Sequence, residues 1–123
     1  MLTCKSDLVQ REGLNHLIPS WQQFVEIYAE SESLIYEWIN DLSTRAIIDE
    51  ILSVLSEQER KKIERDLAPA DQMLKEKTFE VHECVWSDNV AAKENFDRRK
   101  HWYYYRVNQL VFENETGRFT KYL

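Results

Sequence analysis

The sequence predicts a mainly α-helical protein, an irregular bundle of four to six helices with a short C-terminal extended or β-hairpin segment. Apolar residues recur at helical spacing through the first two-thirds of the chain. Helix-capping residues precede several of these stretches, and residues of high β-propensity concentrate near the C terminus. The chain has 123 residues, enough for one core, so we expect residues 1–123 to form a single helical domain. Residues 102–123 are expected to pack on it as an extended or hairpin tail.

The N-terminal region predicts two helices separated by a proline. A weak apolar pattern over residues 1–18 is followed by Pro19, so we expect a short first helix that ends there. Ser20 stands three residues before Gln23, which is the spacing of a capping box, and apolar residues follow at intervals of three and four. A second helix is therefore predicted from about residue 20 to 30.

The clearest amphipathic patterns lie in the middle of the chain. Two apolar stripes at helical spacing occupy residues 34–42 and 47–55, and the polar residues between them leave open one bent helix or two. Both stripes are expected to face the core, together with two earlier aromatic residues. The predicted core contains Trp21, Phe24, Leu34, Ile35, Trp38, Ile39, Leu42, Ile47, Ile48, Ile51 and Leu55.

A charged helix and a proline follow these stripes. Ser56 and Glu59 have capping-box spacing and predict a helix over residues 57–67. Proline is favoured at the first position of a helix, so Pro69 predicts the start of a new helix. Residues 70–77 are good helix formers and would continue it.

The chain changes character after residue 77. Residues 78–86 are rich in β-branched and aromatic side chains that roughly alternate with polar ones, which predicts an extended segment. Ser87 is placed to cap a further helix that runs to about Lys100.

The C-terminal region predicts a hairpin. Residues from Trp102 onward have high β-propensity, and residues 114–117 have the composition of a hairpin loop between residues 111–113 and 118–120. The alternative is that the preceding helix continues through Tyr105.

Composition excludes several classes of enzyme. The chain contains only two glycines, Gly13 and Gly117, whereas a P-loop, a dinucleotide-binding loop and a nucleophile elbow each need glycine at fixed positions. Cys4 and Cys84 are too few for a disulfide framework, so we expect two reduced thiols. The first 30 residues lack the apolar run of a signal peptide, and no stretch approaches the ~20 apolar residues of a membrane span. We therefore expect a cytoplasmic protein with no membrane partner.

The most unusual feature is a basic–aromatic segment, residues 93–106. It contains five basic residues, five aromatic residues and two acids, within a chain whose net charge is −6. Such a local charge asymmetry often indicates a surface that binds a partner. The residues predicted to contact a partner are Arg98, Arg99, Lys100, Trp102, Tyr104 and Arg106.

Three interpretations of this segment remain open. Its aromatic rings can cover the helical core while its arginines pair with acidic helices, as an internal clasp. Alternatively, exposed Trp, Tyr and Arg are the residue types of protein-binding hot spots. As a third interpretation, the basic residues neutralise phosphates while the rings stack on unpaired bases, although the acidic balance of the chain opposes binding to a polyanion.

Two residue pairs have spacings that can support metal binding or general-base chemistry. His82 and Cys84 would share one face of a strand, but no second pair with metal-ligand spacing accompanies them. Asp97 and His101 would face each other on a helix, but no nucleophile other than tyrosine lies near them in sequence. We therefore expect no metal site, no cofactor and no catalytic activity.

Together these patterns favour a small acidic cytoplasmic protein-binding module, either an inhibitor or immunity-like protein or an adaptor. Clustered carboxylates on a helical scaffold suit a basic protein partner. The alternative is single-stranded nucleic-acid binding through residues 93–106. The oligomeric state is left open.

Overall fold

The fold is that of a computed structural model, which describes the backbone of residues 2–122 and the side chains of residues 12–122. The described chain contains five α-helices: α1 (Leu2–Gln23), α2 (Ile35–Leu52), α3 (Glu57–Lys77), α4 (Asp88–Glu94) and α5 (Gln109–Asn114). Two short strands, β1 (Phe79–Glu80) and β2 (Arg106–Val107), form an antiparallel pair. The predicted class, a mainly helical bundle with a small extended element towards the C terminus, is confirmed.

Pro19 does not end the first helix, contrary to the prediction. α1 continues through it to Gln23, and the chain then forms one π-helical turn, Phe24–Tyr28. Proline removes one backbone hydrogen bond from a helix and adds a steric clash. Trp21 and Val25 beyond it are fully buried, so the burial of these side chains outweighs the local cost of the proline.

Pro69 likewise lies inside a helix instead of starting one. α3 is continuous over 21 residues, and the predicted break is wrong for the same reason. Leu67 and Leu74, on either side of Pro69, are fully buried and share one face of the helix. The start of α3 agrees with the sequence, since the Ser56 hydroxyl accepts a hydrogen bond from the N–H of Glu59 at 3.2 Å.

α2 resolves the choice between one bent helix and two, because a single helix carries both apolar stripes. Trp38, Leu42 and Ile48 are fully buried, as predicted. Leu34 and Ile47 were placed in the core incorrectly, since 55% and 46% of their surfaces are exposed. Leu34 precedes the first turn of α2, where the helical period does not yet fix the direction of a side chain.

The C-terminal region is more helical than predicted. Residues 111–113 belong to α5, not to a strand, because Asn108 caps the helix by accepting the N–H of Val111 at 2.7 Å. The side-chain amide of Asn108 also donates to the carbonyls of Ala29 and Ser31, each at 2.9 Å. One asparagine therefore starts α5 and attaches it to the turn before α2.

The sheet forms between elements other than the predicted hairpin strands. β1 pairs with β2 in the register Phe79 with Val107 and Glu80 with Arg106. Val81, which directly follows β1, forms a single antiparallel bridge with Lys121. Two-residue strands are too short for independent stability, so this sheet depends on the core beneath it.

The helix capped by Ser87 is shorter than predicted, and Trp102–Tyr105 are neither strand nor α-helix. The Ser87 hydroxyl accepts the N–H of Val90 at 3.1 Å, as expected, but α4 ends at Glu94 because Asn95 adopts a left-handed conformation with φ of 56°. After a turn, Trp102–Tyr105 form a 3₁₀ helix that leads into β2.

A buried ionic network joins four parts of the chain. Arg45 of α2 is only 7% exposed, and its guanidinium contacts the Asp71 carboxylate of α3 at 3.0 Å and the Asp49 carboxylate at 2.5 Å. The indole N–H of Trp21 donates to Asp71 at 2.9 Å, and the Tyr103 hydroxyl donates to Asp49 at 2.8 Å. α1, α2, α3 and the 3₁₀ helix are therefore held by one set of charge-assisted hydrogen bonds.

The titration behaviour of the network follows from this geometry. Burial alone would lower the pKa of Arg45, but the hydrogen bonds and charges of Asp71 and Asp49 outweigh it and raise that pKa above its ordinary value. Burial, followed by the charge of Asp49, raises the pKa of Tyr103 far above its ordinary value. The arginine therefore stays charged and the phenol stays protonated.

We expect Arg45→Ala to lower the free energy of unfolding by about 3–5 kcal/mol, because it leaves two half-buried carboxylates without their cation. Urea denaturation measures this loss. Arg60→Ala is the matched control, since Arg60 makes an exposed ion pair with Glu64 at 3.6 Å and its loss should cost about 0.5 kcal/mol or less. Equal losses in the two variants would contradict a special role for Arg45.

Pro69→Ala should raise the free energy of unfolding by about 2 kcal/mol. Alanine restores a helical hydrogen bond at an exposed position, and the gain is reduced by the greater entropy of the unfolded chain. Thermal or urea denaturation measures the change. Gln72→Ala, also exposed on α3, serves as a control that should stay within about 0.5 kcal/mol of the parent protein. A destabilised Pro69→Ala variant would show that the proline is required by the packing around it.

Candidate functional site

The aromatic residues of the basic–aromatic segment are folded against the helices. Tyr103, Tyr104 and Tyr105 are all buried. The Tyr104 hydroxyl donates to the Ser43 hydroxyl of α2 at 3.0 Å, and Tyr103 belongs to the ionic network. Tyr104, one of the predicted partner-binding residues, is 3% exposed and therefore contributes mainly to the protein's own core.

Arg98 stabilises the fold from within this segment. Its guanidinium lies 4.6 Å from the ring centre of Tyr105 and 4.1 Å from that of Tyr122. It donates hydrogen bonds to the backbone carbonyls of Val81 and His82 and forms an ion pair with a carboxylate of β1. These contacts fasten the C-terminal residues to the sheet.

Arg106, in β2, also stabilises the fold. Its guanidinium donates to the Thr78 hydroxyl at 2.8 Å and to the carbonyls of Lys75 and Thr78, each at 3.0 Å. Burial lowers its pKa, and the Glu80 carboxylate only partly opposes this effect. Arg98 and Arg106 therefore act as internal fasteners, but they bind mainly backbone carbonyls and Glu80 of β1 and not the acidic helices that the clasp interpretation expected.

The remaining predicted residues lie nearer to solvent. Arg99 and Lys100 are exposed, whereas Trp102 is half-buried with the Lys75 ammonium 4.7 Å from its ring centre. Lys100 lines an open cleft of 270 Å³ between α2 and residues 94–104. His101 and Tyr104 line the same cleft, so the structure brings three residues of the segment together there.

The residues of the pairs His82–Cys84 and Asp97–His101 have other contacts in the structure. His82 is exposed and lies against the ring of Tyr122, whereas Cys84 is buried and burial raises the pKa of its thiol. The Asp97 carboxylate accepts the N–H of Arg99 at 2.8 Å, and the imidazole Nδ1 of His101 accepts the backbone N–H of Asp97 at 2.9 Å. Within the described residues, no three His, Cys, Asp or Glu side chains come together as metal ligands, and the Cys4 side chain lies outside the described part.

A different surface combines exposed apolar side chains with unbalanced negative charge. We call residues 26–41 the acidic turn; they comprise the end of the π-helical turn, the connection and the first turns of α2. No lysine or arginine occurs in this range, which contains five acidic residues: Glu26, Glu30, Glu32, Glu37 and Asp41. Four large apolar side chains in it are 54–65% exposed: Ile27, Tyr28, Leu34 and Tyr36.

The acidic turn is held in place by contacts from the rest of the fold. The Lys77 ammonium of α3 donates to the carbonyls of Val25 and Glu26 at 2.9 and 3.0 Å, and it lies 3.9 Å from the Glu30 carboxylate. From α5, the Asn114 side chain donates to Glu32 at 3.2 Å. The surface is therefore presented by a fixed turn, and only one basic side chain contacts it in the described structure.

Asp41 shows the electrostatic cost of this arrangement. Its pKa is raised first by burial and second by the charge of Glu37, which lies one helical turn away. Like charges at this spacing destabilise a helix. A cation placed beside the acidic turn would relieve this repulsion.

The acidic turn was not predicted from the sequence, although the sequence contains a signal for it. The gap in basic residues between Arg11 and Arg45 is visible in the sequence, as are Tyr28 and Tyr36. The helical period assigned Leu34 to the core, although 55% of its surface is exposed.

Comparison with known proteins gives no functional assignment. No protein-family model, no curated protein and no solved structure matches the chain. Among the described helices, none has an apolar stretch long enough to cross a bilayer.

We expect Asp41→Asn to stabilise the protein at neutral pH. Because the folded-state pKa of Asp41 is raised, its charged form opposes folding above that pKa, and the penalty disappears as the carboxyl is protonated. The stability gain should therefore vanish at a pH well below the ordinary carboxyl range. Urea denaturation of both proteins at the two pH values measures it. A gain that is the same at both pH values would show that the effect is not electrostatic.

Proposed function

We propose that this protein is a small, non-catalytic, acidic binding module whose partner is a basic protein, and that the acidic turn is its docking surface. The observation that carries the proposal is the pairing of five acidic residues with four exposed apolar side chains within residues 26–41, a range without lysine or arginine. Carboxylates steer a basic partner and select it, while exposed Tyr and aliphatic side chains supply contact area. An inhibitor or immunity-like protein and an adaptor both fit this description.

The charge distribution supports a protein partner over nucleic acid. In the basic–aromatic segment, Arg98 and Arg106 donate to backbone carbonyls, and the three consecutive tyrosines are buried. Arg98 and Arg106 are therefore fixed at the sheet and cannot follow a nucleic-acid backbone, and the three tyrosine rings are not available to stack on bases. Single-stranded nucleic-acid binding through residues 93–106 remains the alternative, with Arg99, Lys100 and the half-buried Trp102 as its accessible residues.

The proposal includes a cytoplasmic location. The buried free thiol of Cys84 is compatible with a reducing compartment. A reduced, buried cysteine in a small helical protein needs no oxidising environment for its stability.

The test begins with capture of partners from an extract of the source cells, with and without nuclease, followed by titration of the purified partner. We expect a nuclease-resistant basic protein whose affinity falls about 30-fold or more for the double variant Tyr36→Ala, Glu37→Lys. This variant removes one exposed aromatic anchor and reverses one charge of the acidic turn.

The matched control is the double variant Val54→Ala, Glu64→Lys. It also removes an exposed apolar side chain and reverses an exposed acidic charge, but outside the acidic turn. Binding by the control should stay within about threefold of the parent protein. Equal losses of affinity in both variants would show that binding depends only on net charge. Capture of the partner only in the absence of nuclease would favour the alternative function.

A further inference from the structure

Three basic side chains converge on a pocket of 200 Å³ beside the two-stranded sheet, and no residue of the acidic turn lines this pocket. The pocket is lined by Lys75, Glu80, Arg98, Trp102, Tyr105 and Arg106. Three positive charges therefore face one carboxylate. We call this the basic pocket.

The two guanidinium groups of the basic pocket are fixed before any ligand arrives. Arg98 is held between two tyrosine rings and by the carbonyls of Val81 and His82. Arg106 is held by Thr78 and by the carbonyl of Lys75. Binding of a ligand would therefore not include the entropic cost of ordering these two long side chains.

Several hydrogen-bond donors of these residues are left over. Lys75 is exposed; its ammonium lies 4.7 Å from the ring centre of Trp102 and has no hydrogen-bond acceptor among the described residues. The Nη1 of Arg106 lies 3.8 Å from Glu80, too far for a hydrogen bond. The Nε of Arg98 is buried without an acceptor. A buried donor is rarely left without a partner, so Arg98 Nε is unusual, whereas the exposed Lys75 ammonium is free to reach a ligand.

We propose that the basic pocket binds the phosphate group of a small phosphorylated molecule. The surplus of two positive charges over Glu80 matches a phosphate dianion, whereas a carboxylate would neutralise only one. Guanidinium and ammonium groups are the donors that proteins use for phosphate. The volume is below the ~300–1,000 Å³ of sites for drug-sized ligands, so the pocket accepts a phosphate group with a small substituent.

The probe is inorganic phosphate, titrated into the full-length chain in chloride buffer and followed by calorimetry or phosphorus NMR. We expect saturable binding in the millimolar range and weaker binding of acetate, by about fivefold, because acetate carries a single charge. Absence of saturable phosphate binding would overturn the proposal, as would acetate binding equal to that of phosphate.

Two variants at the basic pocket should change affinity in opposite directions. Lys75→Gln should weaken phosphate binding about fivefold, and Lys75→Arg should retain it. Glu80→Gln should strengthen binding by a similar factor, because it removes the carboxylate that competes with the ligand. Lys75 and Glu80 are exposed, so both substitutions are compatible with folding. Weaker binding in Glu80→Gln would count against this arrangement.

The matched controls make the same charge changes elsewhere on α3. Lys62→Gln and Glu64→Gln are exposed substitutions outside the basic pocket and should leave phosphate affinity within about twofold. If Lys62→Gln weakens binding as much as Lys75→Gln, the effect is general electrostatics and the site does not exist. The Tyr36→Ala, Glu37→Lys protein should bind phosphate normally, so this proposal and the proposed function can fail independently.

Discussion

The buried ionic network around Arg45 is the interaction on which the rest of the structure depends. One guanidinium connects α2 with Asp71 of α3, and the two carboxylates also accept hydrogen bonds from Trp21 and Tyr103. A buried charge is tolerated only when it is fully paired, so these partners must arrive together. The network thus fixes the relative positions of three helices and of the 3₁₀ helix that leads to β2. Hydrophobic burial drives the packing, but the network specifies which faces meet.

Parts of the surface are strongly negative because several arginines bind groups inside the fold. Arg45, Arg98 and Arg106 all donate to groups of the protein itself. Acidic residues outnumber basic ones by 22 to 16, so retaining arginines inside the fold leaves parts of the surface strongly negative. The acidic turn is the clearest example, with Lys77 as its single basic contact in the described structure. A surface with such unbalanced charge is suited to an oppositely charged partner.

The fold class could be predicted from the sequence, but several boundaries and the candidate sites could not. The caps at Ser56 and Ser87 were visible because a hydroxyl satisfies an N–H within the same local stretch. Pro19 and Pro69 misled the prediction because their local cost is outweighed by burial elsewhere in each helix. Asn108 illustrates the remaining difficulty: it caps α5 by a local bond from the N–H of Val111, but its side-chain amide also donates to the carbonyl of Ala29, which is distant in sequence. The basic–aromatic segment was recognised as unusual. Its sequence did not show which rings face the core, because that depends on how the segment packs against distant helices.

The acidic turn and the basic pocket depend on the same end of α3 without competing for the same space. Lys77 contacts the acidic turn and Lys75 lines the basic pocket. Residues two positions apart on a helix are separated by about 200°, so these side chains point to opposite sides. A second connection links the two regions, because the indole N–H of Trp38 in α2 donates to the carbonyl of Arg106 at 3.0 Å. A protein partner at the turn and a phosphate in the pocket are therefore sterically compatible, and both would bind to a scaffold that the buried ionic network already holds in place.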